Sequence, residues 1–233
     1  MKRRWFAAVA VLLLALYTGA SWYFAGELVH FKVKSAAQIL EENNFNGPGD
    51  VGLPAPQVVK IAARVDISGW YFANHRGRCG IVMHHGHAAR REGLLKYASV
   101  FWERGCHLLM IDARYHGESG GNYGTYGFYE KHDLADVVQW FAKKTGLPAD
   151  RTGLFGDSMG AAISVQTAGL QPAIGFVVLD SPFSDMIREV TYRGMVLYGK
   201  PLIVLMPLTL RFAAWRASFD PRAVSPESYA TRI

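Results

Sequence analysis

Short apolar runs alternate along the chain with segments whose apolar residues recur every three or four positions. The runs are apolar at successive positions, which is typical of strands buried on both faces of a parallel sheet. They lie at 80–84, 107–112, 152–155 and 174–180. Helical periodicity separates them, for example at Leu94, Ala98, Phe101 and Trp102 and at Leu134, Val137, Val138 and Phe141.

Two further strands are predicted before these runs. Residues 58–65 alternate between apolar and polar side chains and 70–73 form a second short strand, so Asp66 to Gly69 is predicted to be a hairpin turn. A hairpin followed by alternating strands and helices predicts an α/β fold, with a mostly parallel twisted sheet and helices on both faces. A further helix is expected to begin at Ser158.

The longest apolar run lies at the N-terminus, where residues 5–26 carry no charged side chain. As a helix this run is about 33 Å long, enough to cross a hydrocarbon core of roughly 30 Å. The basic residues before it favour a cytoplasmic tail at 1–4, a transmembrane anchor at 5–26 and a domain outside the cytoplasm. A cleaved signal peptide is the alternative, because Thr18 to Ala20 resembles a small-residue cleavage site.

Composition narrows the class of protein. Half of the residues are apolar and 13% are aromatic, which favours a packed domain over a disordered chain. The net charge of +6 is modest and the basic residues are scattered, so no nucleic-acid partner is expected. Cys79 and Cys106 are too few for a disulfide framework and are interpreted as buried free thiols, with a disulfide in an oxidising compartment as the alternative.

One pentapeptide, Gly156-Asp-Ser158-Met-Gly160, matches G-x-S-x-G. The match alone is weak, but here the serine ends an apolar run and precedes a segment rich in small residues, as in a nucleophile elbow. Gly156 and Gly160 leave room where strand and helix pack closest, and the helix N-terminus favours a developing negative charge. Ser158 is therefore the predicted nucleophile, and an ordinary serine N-cap is the alternative.

An acyl-transfer site also needs two backbone N–H donors for the oxyanion. The N–H of Met159, directly after the serine, is the first candidate. The second is the N–H of His87, in the loop after the run at 80–84, where Gly86 allows close backbone approach.

Three stretches together resemble the α/β-hydrolase superfamily, in particular its bacterial membrane-anchored members that are similar to serine peptidases and lipases. These stretches are His85-Gly86, the loop from Asp112 to Gly120 and the GDSMG pentapeptide, and residues 126–133 are also similar to the anchored members. The resemblance runs from Val58 to the C-terminus. It implies a serine hydrolase domain at 58–233, in the bacterial inner membrane, that needs no cofactor. It also implies structural roles for Arg114 and His116.

Other chemistry is disfavoured by the spacing of the residues. Strand alternation points His84 and His85 to opposite faces, and no metal-binding histidine spacing occurs, so no metal site is predicted. The glycines between 117 and 124 form no G-x-G-x-x-G ahead of a helix, so no dinucleotide site is predicted either.

The expected catalytic base is missing after the nucleophile. In this fold the order is Ser, then Asp or Glu, then His, whereas the last histidine of this sequence is His132. Residues 220–233 resemble the helix before the family's seventh strand, so the sequence is expected to be truncated ahead of the triad acid and histidine. Asp180 is a weaker candidate acid, because some lipase relatives carry the acid there, but a structural role is favoured.

The remaining segments are a linker with a short helix at 27–57 and a lid at 185–222, where the family inserts one. Two apolar stretches in the lid flank Pro207, and each is too short to span a bilayer. One hypothesis is a lid that lines a lipophilic acyl pocket and touches the membrane surface. The other is two short helices packed against the sheet.

These features predict a serine hydrolase that cleaves an ester, thioester or amide through an acyl-enzyme on Ser158, with little turnover by these residues alone. Its expected partners are a small acyl substrate and, through the N-terminal helix, a membrane. The alternatives are a non-catalytic, membrane-tethered binding protein and an acyltransferase that uses the same serine.

Overall fold

A computed structural model describes residues 2–171 and 174–233 and contains one six-stranded sheet in the order β1-β2-β4-β3-β5-β6. The strands are β1 (Gln57–Ala62), β2 (Asp66–Phe72), β3 (Cys79–His84), β4 (Cys106–Ile111), β5 (Thr152–Asp157) and β6 (Phe176–Asp180). The last four run parallel, and β2 is antiparallel to both of its neighbours. The predicted α/β fold with a mostly parallel sheet is confirmed.

Helices cover both faces of this sheet. They are α1 (Lys2–Val29), α2 (Ala36–Glu42), α3 (Leu95–Trp102), α4 (Glu130–Thr145), α5 (Met159–Ala168), α6 (Met186–Tyr198), α7 (Leu202–Ala217) and α8 (Pro226–Ala230). Alternate strand positions face two separate cores. Val82, Leu109 and Leu154 pack with α4 and α5. Ile81, Leu108 and Phe155 pack with α3 on the opposite face.

The turn between β1 and β2 lies earlier than the sequence predicted. Residues 63–65 form it, and the predicted turn residues Asp66 to Gly69 belong to β2 instead. Ile67 is 1% exposed, and Gly69 pairs so closely with β4 that a Cβ there would lie 3.0 Å from the Met110 carbonyl oxygen. Burial and strand pairing therefore outweigh the turn preference of Asp, Ser and Gly.

Cys79 and Cys106 form a disulfide, so the prediction of two free thiols is wrong. Each cysteine is the first residue of its strand, and the two lie directly opposite each other in β3 and β4, with Cα atoms 4.3 Å apart. The sequence placed both residues beside neighbouring strands, but it did not give the register that brings them face to face.

Reduction of this disulfide is expected to lower the free energy of unfolding by about 3 kcal/mol, because a bridge that closes a loop of this length restricts the unfolded chain. For a chain of this size, Tm should fall by roughly 6–12 °C. Thermal unfolding of the detergent-solubilised protein with and without dithiothreitol measures the change. The variant with Cys79→Ser and Cys106→Ser is the control and should melt at the reduced value in both buffers. An unchanged wild-type Tm on reduction would contradict the expectation.

The N-terminal helix extends beyond the predicted anchor. Within the described part of the chain, α1 is a single helix that is by itself long and apolar enough to cross a bilayer. Its first part is largely exposed, whereas Ser21, Ala25 and Val29 are fully buried against the rest of the protein. The segment predicted as a linker from residue 27 thus begins inside α1, and its short helix is α2. Met1, part of the predicted tail, lies outside the described residues.

The segment predicted as a lid forms α6 and α7. α7 continues through Pro207, so the two apolar stretches that flank this proline belong to one helix. Pro207 is on the exposed side of the helix, and Met206 and Thr209, on either side of it in the sequence, are buried. α7 packs along α1 and also contacts α6.

Candidate active site

Ser158 lies at the bend between β5 and α5, where its backbone adopts φ 54° and ψ −113°. A positive φ is strained for a residue with a side chain, and such strain is concentrated at functional sites. The Ser158 N–H donates to the Asp180 carbonyl oxygen over 2.8 Å, which ties the bend to the end of β6. The Ser158 side chain makes no capping hydrogen bond, unlike an ordinary serine N-cap, and the residue lines a cavity above the sheet.

Two glycines allow the sharp bend. A Cβ on Gly156 would lie 2.3 Å from the Ala161 Cα atom, and a Cβ on Gly160 would lie 2.2 Å from the His84 carbonyl oxygen. Both distances are far below van der Waals contact, so the strand, the helix and the β3 end can meet only without side chains at these positions. This is the arrangement of a nucleophile elbow.

The loop after β3 lies directly over the serine. A Cβ on Gly86 would be 3.3 Å from the Ser158 Cβ atom. The buried His85 ring fixes this loop, since its Nε2 accepts the Ala113 N–H over 3.0 Å and its Nδ1 therefore donates to the Gly86 carbonyl oxygen over 2.8 Å. Among the described residues, no backbone acceptor bonds the N–H of His87 or of Met159. Both groups are therefore available to an oxyanion.

The His87 side chain is a second, unforeseen part of the site. Its Nε2 lies 3.2 Å from the Tyr126 hydroxyl, which in turn donates to the Leu28 carbonyl oxygen of α1 over 3.2 Å. Burial lowers the pKa of His87 to about 4 and raises the pKa of Tyr126. Both side chains are therefore neutral at pH 7. Together they connect the loop after β3 to the N-terminal helix.

Ser158 opens into a mainly apolar cavity of about 270 Å³, near the lower end of small-molecule sites, which run from roughly 300 to 1,000 Å³. Three helices enclose it: α1 contributes Phe24 and Leu28, α6 contributes Val190 and Leu197, and α7 contributes Leu202 and Met206. Glu27, Glu189 and Arg193 supply charge at its wall. The contribution of α1 was missed because its whole apolar run was interpreted as an anchor. The charged Glu27 near its end was the available signal.

The Asp180 carboxylate, at the end of β6, is engaged away from any histidine. Its Oδ2 accepts the Tyr97 hydroxyl over 2.6 Å and its Oδ1 accepts the Ser181 hydroxyl over 2.9 Å. These hydrogen bonds, with that of Tyr97 the largest cause, lower the pKa of Asp180. The partners belong to α3 and to the loop after β6, which favours the structural role over the role of a triad acid.

The other histidines near the site are buried and held in structural contacts. His116 Nδ1 lies 2.8 Å from the Arg114 carbonyl oxygen, and the Arg114 guanidinium is paired with the Asp133 carboxylate over 2.6 Å. Desolvation lowers the pKa of His84 to about 4 and that of His116 below its usual value. No group of three or more potential metal ligands occurs within the described ranges.

The family match covers most of the chain. Residues 23–212 match the family described as X-Pro dipeptidyl-peptidase (S15 family). The chain belongs to this family. Its place in the α/β-hydrolase superfamily, expected from His85-Gly86 and the GDSMG pentapeptide, is thereby confirmed, and the match begins inside α1, at the part that lines the cavity.

Relatives of this S15-family chain include hydrolases of known structure. Protein YqkD of Bacillus subtilis is 32% identical over 90% of this chain and 71% of its own length. The esterase Pf2001 of Pyrococcus furiosus is 27% identical, with a TM-score of 0.58 over 71% of this chain and 64% of that protein. An α/β hydrolase of Vibrio vulnificus has a TM-score of 0.64 over 91% of this chain and 71% of that protein, and at 17% identity it shows the fold alone.

Proposed function

We propose that the protein is a serine hydrolase that cleaves an ester, thioester or amide of a small acyl substrate through an acyl-enzyme on Ser158. The observation that carries the proposal is the strained bend that presents Ser158 to an apolar cavity, close to the N–H groups of Met159 and His87, which bond no backbone acceptor among the described residues. The family description names a peptidase and the Pyrococcus protein is an esterase, so amides and esters both stay within the proposal.

The proposed reaction has two halves. The Ser158 Oγ attacks the acyl carbon, and its proton passes to a base and then to the leaving group. The carbonyl oxygen becomes an oxyanion that accepts hydrogen bonds from the N–H groups of Met159 and His87. Collapse of this intermediate releases the alcohol, thiol or amine and leaves an ester on Ser158. Water then attacks that ester, restores the serine and releases the carboxylic acid.

The described part of the chain does not place a histidine as the base for the first step. Among the described residues, no imidazole forms a hydrogen bond with the Ser158 hydroxyl, and His87, which shares its cavity, bonds Tyr126 instead. None of the eight histidines follows Ser158 in the sequence. Since a general base typically contributes about 10²–10⁴ in rate, we propose that these residues alone react more slowly by a factor in that range.

Labelling with a fluorophosphonate, followed by intact-protein mass spectrometry, tests both parts. In this reaction the Ser158 oxygen bonds phosphorus and fluoride leaves, so one phosphonyl adduct per chain is expected. The adduct should form slowly, form faster when free imidazole is added as a base, and be absent in Ser158→Ala.

Each contrary result has a distinct meaning. Equal labelling of Ser158→Ala would overturn the nucleophile assignment. No adduct even with imidazole would favour the alternative of a non-catalytic binding protein. Rapid Ser158-dependent labelling without added base would leave the nucleophile in place and overturn the missing-base proposal.

We also propose that α1 anchors the protein in a bacterial inner membrane, with the catalytic domain outside the cytoplasm. The apolar length of α1 and the basic residues at its start support the anchor and its orientation. The Cys79–Cys106 disulfide supports the same orientation, because such bonds persist in oxidising compartments. Alkylation of free thiols in intact cells, before and after reduction, tests this. Thiols already free before reduction would contradict an oxidising location.

A further inference from the structure

The helices that enclose the cavity present a second apolar surface to the outside. On α6 and α7 seven large apolar or aromatic side chains are between 47% and 72% exposed. They are Tyr192, Val196, Leu197, Tyr198, Ile203, Val204 and Trp215. Five of them flank the connection Gly199-Lys200-Pro201 between the two helices, which we call the hairpin tip. A soluble protein rarely exposes a patch of this kind without a binding partner.

The apolar surface continues onto the membrane helix. The Trp22 ring of α1 lies 5.3 Å from that of Phe212 and 5.8 Å from that of Trp215. Phe24 of α1 contacts Tyr198 beside the hairpin tip, with ring centres 4.9 Å apart. Trp and Tyr side chains favour the boundary between lipid and water. The contacts therefore place the exposed apolar residues of α6 and α7 beside the C-terminal part of α1.

The charge of this segment also suits a membrane surface. Residues 186–217 contain five basic side chains, at 188, 193, 200, 211 and 216, and one acidic side chain, Glu189, so the segment carries a charge of +4. Lys200 is exposed at the hairpin tip among apolar residues. Basic side chains beside an apolar face are typical of helices that lie in the interface of anionic bilayers.

We infer that the exposed face of α6 and α7 inserts into the interface of an anionic bilayer beside α1, so that the cavity receives a lipid acyl chain directly from the membrane. The inference rests on the anchor and the hydrolase proposed above and names the substrate class as acyl lipids. Leu197 lies on the wall of the cavity and is also 72% exposed, so the interior and the outer face meet at this residue. A lipid acyl chain that leaves the bilayer would pass directly from the apolar membrane into the apolar cavity, and its ester group would then lie close to Ser158.

Depth measurements on the full chain in anionic vesicles test this. Single cysteines at Val204, in the exposed face, and at Leu12, in the middle of α1, are labelled with a polarity-sensitive fluorophore. The matched control is Val100→Cys, because Val100 is an exposed valine on α3, on the opposite face of the sheet. Doxyl lipids should quench the labels at 204 and 12 several-fold more strongly than the label at 100.

The outcomes distinguish failure of this inference from failure of the proposed anchor and of the proposed hydrolase. Quenching at 12 but not at 204 overturns the inference and leaves the anchor in place, whereas quenching at neither position removes the anchor too. A label at 204 that is shielded from water without lipid quenching, together with disulfide-linked dimers of Val204→Cys, assigns the surface to a second copy of the chain and also overturns the inference. The hydrolase proposal is tested separately by Ser158 labelling.

Discussion

Replacement of Gly160 by alanine is expected to destabilise the protein by about 3 kcal/mol or more. The added methyl group would lie 2.2 Å from the His84 carbonyl oxygen and 2.6 Å from the His85 carbonyl oxygen, both of which belong to backbone. To relieve this contact, α5 must move away from the end of β3. That movement would also separate the Ser158 bend from the loop at Gly86. The rate of Ser158 labelling by a fluorophosphonate should therefore fall together with stability.

Urea unfolding of Gly160→Ala and of a control variant measures the effect. The control is Gly47→Ala, because no atom would lie within 4 Å of its Cβ and its backbone is extended, with φ 167°. Its free energy of unfolding should stay within about 0.5 kcal/mol of the wild-type value. If Gly160→Ala unfolded like Gly47→Ala, the close approach of α5 to β3 described above would be wrong.

Acidification from pH 7 to pH 5 is expected to lower the free energy of unfolding by about 2 kcal/mol for each of His84 and His87. Burial lowers the pKa of each residue to about 4, from an ordinary value of 6.5. Between these values the unfolded chain binds more protons than the folded chain, so stability is present above pH 6.5 and declines as the pH falls toward 4. His85, whose pKa burial also lowers, acts in the same direction.

Urea unfolding at the two pH values measures this loss. The variant His87→Gln removes one titrating ring and retains an N–H group that can reach the Tyr126 hydroxyl, so it should lose less stability between pH 7 and pH 5 than the wild type does. The difference between the two proteins should be about 2 kcal/mol. A wild-type free energy of unfolding that is the same at both pH values would contradict the buried, neutral state of these histidines.

Local sequence patterns predicted the elements whose residues are buried on both faces. β3, β4 and β5 and the helices between them follow from apolar runs and helical periodicity, since burial and pattern agree there. The bend at Ser158 followed from its position between such a run and a helix. Features that depend on long-range contacts could not be predicted from the sequence. Gly69 pairs with β4 and therefore belongs to a strand rather than to the predicted turn. Cys79 and Cys106 form a disulfide because the register of β3 and β4 places them opposite each other.

The walls of the candidate site were the least predictable part. Phe24 and Leu28 belong to an apolar helix whose composition is also that of a membrane span, and periodicity does not separate lipid contact from protein contact. The bond between His87 and Tyr126 joins residues far apart in the sequence. Apart from Glu27 near the end of α1, neither feature has a local signal, because each depends on contacts between parts of the chain that are distant in sequence.

The uneven burial of α1 divides it into an exposed N-terminal part and a C-terminal part that packs against the rest of the protein. Ser21 is the first fully buried residue of α1, and the residues that wall the cavity begin at Phe24. Proteolytic removal of the first twenty residues would therefore take away the exposed part of α1, which we propose spans the bilayer, and keep the cavity wall. With the proposed anchor, a released form and a tethered form would thus carry the same substrate pocket, so cleavage at this point would change where the protein acts rather than what it recognises.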